Sequence, residues 1–158
     1  SKYRQEFNGG SLTHVFLDVN DYHRYHFPIS GKILEMNKIE GSDAGGGVYR
    51  WNPKAKRYWL DSRNPNWESI ETRACVIIEN EEFGKVALLP IGMSQICSVN
   101  FTEGLEVGSE VQKGQELGYF LFGGSDFVIV FQKGVKFKLT ASATKHIFFG
   151  EKLGELKK

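Results

Sequence analysis

Short runs rich in Val, Ile, Phe and Tyr, broken repeatedly by glycine, constrain this chain more than any other feature. Eighteen glycines are spread over 158 residues. Apolar runs occupy residues 13–19, 31–36, 48–51, 57–60, 74–79, 85–90, 96–101, 116–122, 127–132 and 135–139. Each is strand-sized, too short for a packed helix, and Gly, Asn, Asp or Pro separates most of them. Glycines at such boundaries suit tight turns better than helix interiors. Residues 141–145 and 152–158 have helix-friendly composition but no apolar stripe, which argues against a long packed helix. The expected fold is all-β, a single barrel-sandwich-like domain over residues 1–158. Short helical or turn segments are expected near His23–His26 and near the C-terminus.

Size and charge narrow the function classes. With 41% hydrophobic residues, a chain of this length can bury one real core. The 20 basic and 19 acidic side chains are interspersed and leave a net charge of +1, which removes the electrostatic case for nucleic acid as a partner. Cys75 and Cys97 each lie in apolar stretches and read as small hydrophobes kept reduced; two cysteines alone make no zinc site. No window is long and apolar enough to span a bilayer, and no signal-peptide pattern opens the chain. A cytoplasmic setting is expected. The first residue is Ser1 rather than Met, which reads as a processed or trimmed chain.

Two stretches organise the chain further. Residues 103–118 alternate turn glycines with short apolar pairs and resemble the hairpin of lipoyl and biotinyl carriers. Lys113 lacks the flanking residues of an attachment site, so it reads as a solvated turn lysine. Residues 41–67 carry Tyr49, Trp51, Tyr58, Trp59 and Trp67 amid glycine, proline and basic residues. This excursion is expected to cover the core; the alternative is an aromatic wall at a substrate mouth.

The chemistry-bearing residues come from both halves of the chain. Gly123-Gly124-Ser125 lies between two strongly apolar runs. Gly124 lacks a Cβ, so its carbonyl carbon can be approached by Ser125 Oγ. Flanking strands would hold that turn in position for an attack. Far upstream, Asp21-Tyr22-His23-Arg24-Tyr25-His26-Phe27-Pro28 supplies two histidines three residues apart. Along a straight strand such residues face opposite ways. Both rings can enter one site only through a turn or helical loop at residues 22–27, beside Pro28. His14 and His146 read as packed histidines among aromatics.

The Asp21–Pro28 motif and the Gly-Gly-Ser turn together resemble the phosphatidylserine decarboxylase family. Phe7-Asn8-Gly9-Gly10, Leu17-Asp18-Val19-Asn20, Thr72-Arg73 and Pro90-Ile91-Gly92-Met93 agree with it, so the resemblance runs from about Phe7 to about Phe137. It implies that the chain is cleaved between Gly124 and Ser125, Ser125 being the nucleophile and the precursor of a covalent pyruvoyl cofactor. It also implies that His26 is the base for this self-cleavage and His23 the acid/base residue in decarboxylation. Ser125 Oγ would attack the Gly124 carbonyl; the resulting ester would eliminate to dehydroalanine, and hydrolysis would release ammonia and leave the pyruvoyl group. Its carbonyl would then serve as the electron sink when CO₂ leaves the substrate.

Two departures from the family pattern stand out. The family's orienting aspartate belongs to an N-terminal segment that this chain lacks; that segment is also where peripheral membrane contact is expected. Asp126 stands where a small hydroxyl residue is common, and a carboxylate there is expected to raise the base's pKa and to repel an anionic head group. The resemblance implies phosphatidylserine as substrate. A free, aromatic amino acid is the alternative, and an inactive fragment or non-enzymatic binding module a third. No metal is implied, and self-association stays open.

Overall fold

In the computed structural model, which describes residues 1–41, 48–61 (backbone only at 48, 49 and 59–61), 71–92, 98–121, 125–142 and 145–158, the apolar runs pair into antiparallel sheets. The largest has six strands, in the order β1 (Ser11–Leu17), β11 (Ser125–Phe131), β7 (Gly84–Gly92), β6 (Thr72–Asn80), β3 (Gly31–Ile39) and β9 (Glu110–Val111). Alternation explains its sidedness: Phe127, Ile129 and Phe131 of β11 are buried, whereas Val128 and Val130 are only partly so. On β6 and β7, Val76, Ile78, Val86 and Leu88 are fully buried, each contributing roughly 1.5–3 kcal/mol by leaving water.

A second sheet has the order β2 (Arg24–His26), β10 (Glu116–Tyr119) and β8 (Asn100–Phe101). Tyr25, Leu117 and the adjoining Phe27 and Phe120 join the inner residues of the six-stranded sheet in one core cluster. The two sheets therefore form a sandwich around a common interior. Gly118 is needed there: a Cβ at that position would fall 2.0 Å from the Asn100 carbonyl oxygen and 2.7 Å from Tyr25 Oη. Tyr25 Oη donates a hydrogen bond to that same carbonyl at 2.5 Å. Burial pushes the Tyr25 phenol well above its ordinary pKa.

Two hairpins stand apart, β12 (Lys136–Leu139) with β13 (Gly154–Lys157), and β4 (Val48–Asn52) with β5 (Arg57–Asp61). The all-β expectation holds: among the described residues the only helical element is a 3-10 turn at Arg4–Phe7. Three details differ from the sequence reading. β2 arises where no strand was expected, because it is too short to show a period and exists only through its partner. Residues 152–158, helix-friendly in composition, supply β13, since Leu156 pairs with Phe137 and packs on the core beside it. The aromatic excursion does not cover the core where its side chains are described: Trp51 and Tyr58 are about half exposed and pack on each other, ring centroids 5.2 Å apart. Trp67 lies outside the described residues.

Candidate active site

Ser125 is the first residue of β11, and both neighbouring strands hold it: Leu17 of β1 on one side and Gly92 of β7 on the other. Its side chain is fully buried, and Oγ has no hydrogen-bond partner among the described residues. An unpaired buried hydroxyl costs about 1–3 kcal/mol. Natural folds seldom keep one without a use for it. Gly123 and Gly124, the other half of the expected cleavage site, lie outside the described residues.

The topology brings the histidine motif to the same place. The chain leaves the six-stranded sheet at Leu17, opposite Ser125, and enters the three-stranded sheet at Arg24, opposite Tyr119. The later segment runs the reverse course, leaving β10 at Tyr119 and reaching the six-stranded sheet at Ser125. Phe120 N–H donates to the His23 carbonyl at 2.9 Å. Residues 18–23 therefore bridge the gap between the sheets, with Phe120 beside His23 at the three-stranded side. His23 stands at one rim of it and Ser125 at the other.

The two histidines part company at β2. A turn forms before them rather than between them: Asp21 N–H donates to the Asp18 carbonyl, and Asp18 N–H to Asp21 Oδ2, both at 2.8 Å. Residues 24–26 are extended because they pair with β10, so no turn at 22–27 gathers both rings on one face. His23 lies with its ring edge toward Phe120, centroids 6.4 Å apart. Its Nδ1 donates to the Asp21 carbonyl at 2.6 Å, which leaves Nε2 to carry the basic lone pair. His26 Nδ1 donates to the Gly114 carbonyl at 2.9 Å, and Tyr22 Oη donates to His26 Nε2 at 3.1 Å. The His26 ring also packs on Phe149, centroids 4.4 Å apart. For His26 to take a proton, the Tyr22 hydroxyl must first turn away.

Both histidines read as packed prove to be partners of aspartates. His146 Nε2 pairs with Asp21 Oδ1 at 2.7 Å, so one aspartate grips His146 through its carboxylate and His23 through its backbone. His14 Nε2 pairs with Asp126 Oδ1 across β1 and β11. The Asp126 side chain is 1% exposed. Strand alternation turns it to the face of the sheet opposite the Ser125 side chain, so it does not stand beside the Ser125 hydroxyl as its neighbouring position suggests. His14 lines a cavity of ≈ 390 Å³ on that outer face with Leu12, Arg73, Leu89, Ile91 and Val128. The sequence carried a hint of one pair, a carboxylate at the head of an apolar strand; nothing in it pointed to His146. Among the described residues no cluster of His, Cys, Asp and Glu could hold a metal ion. Burial raises the Cys75 thiol above its usual range, and Cys97 lies outside the described residues.

A family model described as phosphatidylserine decarboxylase matches residues 1–155. The chain is 38% identical to phosphatidylserine decarboxylase proenzyme 3 of Schizosaccharomyces pombe over 135 residues, 85% of this chain and 13% of that protein. Identity is 31% over 160 residues with the phosphatidylserine decarboxylase proenzyme of Fusobacterium nucleatum, 97% of this chain and 49% of the relative. With decarboxylase iboD of Amanita muscaria it is 32% over 165 residues, 92% and 45% of the two chains. This chain thus spans less than half the length of each of these relatives.

Proposed function

The chain belongs to the phosphatidylserine decarboxylase family, a family of pyruvoyl-dependent carboxy-lyases, and on that premise we propose that it carries the site of a decarboxylase matured by cleavage between Gly124 and Ser125. The observation that carries this reading is the buried Ser125 hydroxyl, without a hydrogen-bond partner among the described residues, at the head of a strand held from both sides. Such a residue fits a pyruvoyl precursor: its neighbours exclude water and fix its backbone, while nothing described competes for its oxygen. Once formed, the group would supply an electrophilic carbonyl that accepts the electron pair released with CO₂.

In this reading His26 is the base for self-cleavage. Its Nδ1 is anchored to Gly114, and Nε2 becomes the basic nitrogen when Tyr22 releases it. His23, held by Asp21 at the rim of the gap, returns a proton to the substrate carbon after CO₂ leaves. Phosphatidylserine is the proposed substrate, in line with the names of most relatives quoted. A free amino acid is the second reading, favoured by the exposed Trp51–Tyr58 pair and by a relative named only as a decarboxylase.

The test uses the full-length parent protein. Intact-mass analysis should show two chains, one ending at Gly124, with borohydride labelling the other. His26→Ala should leave the parent uncut, whereas His23→Ala should cut and fail to release CO₂; the reverse pattern exchanges their roles. CO₂ release from phosphatidylserine liposomes, compared with free serine and tryptophan, separates the two substrates. A parent that stays uncut and inert is the non-enzymatic module instead.

A further inference from the structure

Asp126 is buried next to Ser125 in the chain, and its setting gives that carboxylate a purpose. The carboxylate is buried one residue inside the strand that begins at Ser125. β7, on one side of β11, offers it Ile91 and Leu89, which are apolar. β1, on the other side, offers His14, whose Nε2 meets Asp126 Oδ1. Arg73 of β6 lines the same outer cavity, but its Nη1 donates to the Glu71 carbonyl at 3.0 Å.

The register shows what the pair does mechanically. Asp126 lies opposite Phe16, and His14 lies opposite Val128. The His14–Asp126 contact therefore runs diagonally across the β1–β11 ladder and ties the first turn of the pleat to the neighbouring strand. While the chain is continuous, the peptide bond to Gly124 also tethers this end of β11. Cleavage between Gly124 and Ser125 would remove that tether and make residue 125 a chain end, where strands fray.

We propose that His14 and Asp126 form a positioning pair that pins the head of β11 to β1 after cleavage, so that the pyruvoyl-bearing terminus keeps its place in the gap between the sheets. The pair acts through residue 126 and not on the reacting atoms, which lie on the other face. It rests on the self-cleaving reading above, because only a cut chain needs the clamp.

The experiment uses the full-length parent with Asp126→Asn, His14→Gln and the double variant, each also built on Ser125→Ala so that the chain cannot be cut. In the cut forms, amide hydrogen exchange at residues 126–128 should rise about tenfold, and kcat should fall about tenfold with KM within about twofold. The double variant should be no worse than either single one, as expected of residues acting as a unit. In the Ser125→Ala forms the same substitutions should leave that exchange within about twofold. Exchanging the residues, His14→Asp with Asp126→His, should recover most of the protection. Equal exchange in cut and uncut forms would make the pair an ordinary structural contact and overturn the proposal. So would additive losses, or variants with wild-type exchange and kcat. A wild-type parent that is never cut defeats the self-cleaving reading and takes the clamp with it; a cut parent indifferent to the variants defeats the clamp alone.

Discussion

Two aspartate–histidine pairs occur among the described residues, and they differ in what surrounds them. In the His14–Asp126 pair the imidazole is 40% exposed but the carboxylate only 1%, and both sit within a sheet. In the His146–Asp21 pair the side chains are 51% and 19% exposed and join two loop segments. The chemistry is the same, yet the energetics are not. Removing His14 takes a hydrogen-bond partner from a carboxylate that water barely reaches, while an exposed partner is simply rehydrated. The first pair is therefore a fixture of the six-stranded sheet. The second is an adjustable tie between the turn before His23 and the segment that places Phe149 against His26.

The largest expected effect concerns Ser125. Ser125→Ala should abolish both chain cleavage and carbonyl labelling in the full-length parent, read by intact mass and borohydride incorporation. If cleavage persists, neither pair has a bearing on maturation. Next comes the contrast itself. In the cut protein, His14→Ala takes the imidazole from Asp126 and should lower stability by about 2 kcal/mol in urea melts. His146→Ala should cost less than about 1 kcal/mol, and equal losses would erase the distinction between the pairs.

Tyr25 sharpens the same point from inside the core. Its phenol is buried and bonded to the Asn100 carbonyl, so Tyr25→Phe should cost about 1 kcal/mol at neutral pH. Burial raises its pKa, meaning that the folded chain holds this proton more tightly than the unfolded one. The contribution is whole below the unfolded value of about 10 and is lost as pH climbs beyond it. Lys85, pushed up chiefly by its hydrogen bond to Glu6, and Cys75, raised by burial, shift in the same direction. The measurement is therefore the difference between wild type and Tyr25→Phe in melts from pH 8 to 11, and that difference should shrink as pH rises. The smallest effect on stability belongs to the exposed hairpin pair. Trp51→Ala should change it by less than about 0.5 kcal/mol, and a raised KM for a free amino acid would mark the hairpin as part of the substrate surface.

Legibility followed the length of the pattern. β6, β7 and β11 were readable because seven to nine residues of alternating or continuous burial leave a period in the sequence. β2, with three residues, leaves none; it is a strand because β10, far along the chain, pairs with it. That pairing also decided the arrangement of the histidines, extending residues 24–26 where a turn had been expected and moving the turn back to Asp18–Asp21. The family motif made Ser125, His23 and His26 legible as a set. It did not say which ring faces the gap, or that His14 and His146 are held by carboxylates.

The order of residues alone determined the all-β class, the glycine-bounded strands and the membership of one decarboxylase family, because propensity, periodicity and motif spacing are local quantities. Tertiary structure decided which face each strand presents, that residues 24–26 are extended rather than turned, and that the buried carboxylate next to Ser125 meets His14. Those outcomes depend on pairing between strands more than a hundred residues apart, as when His14 meets Asp126 with a separation of 112. Register at that distance is set by burying one face of the whole sheet at once, and no short window of sequence contains it.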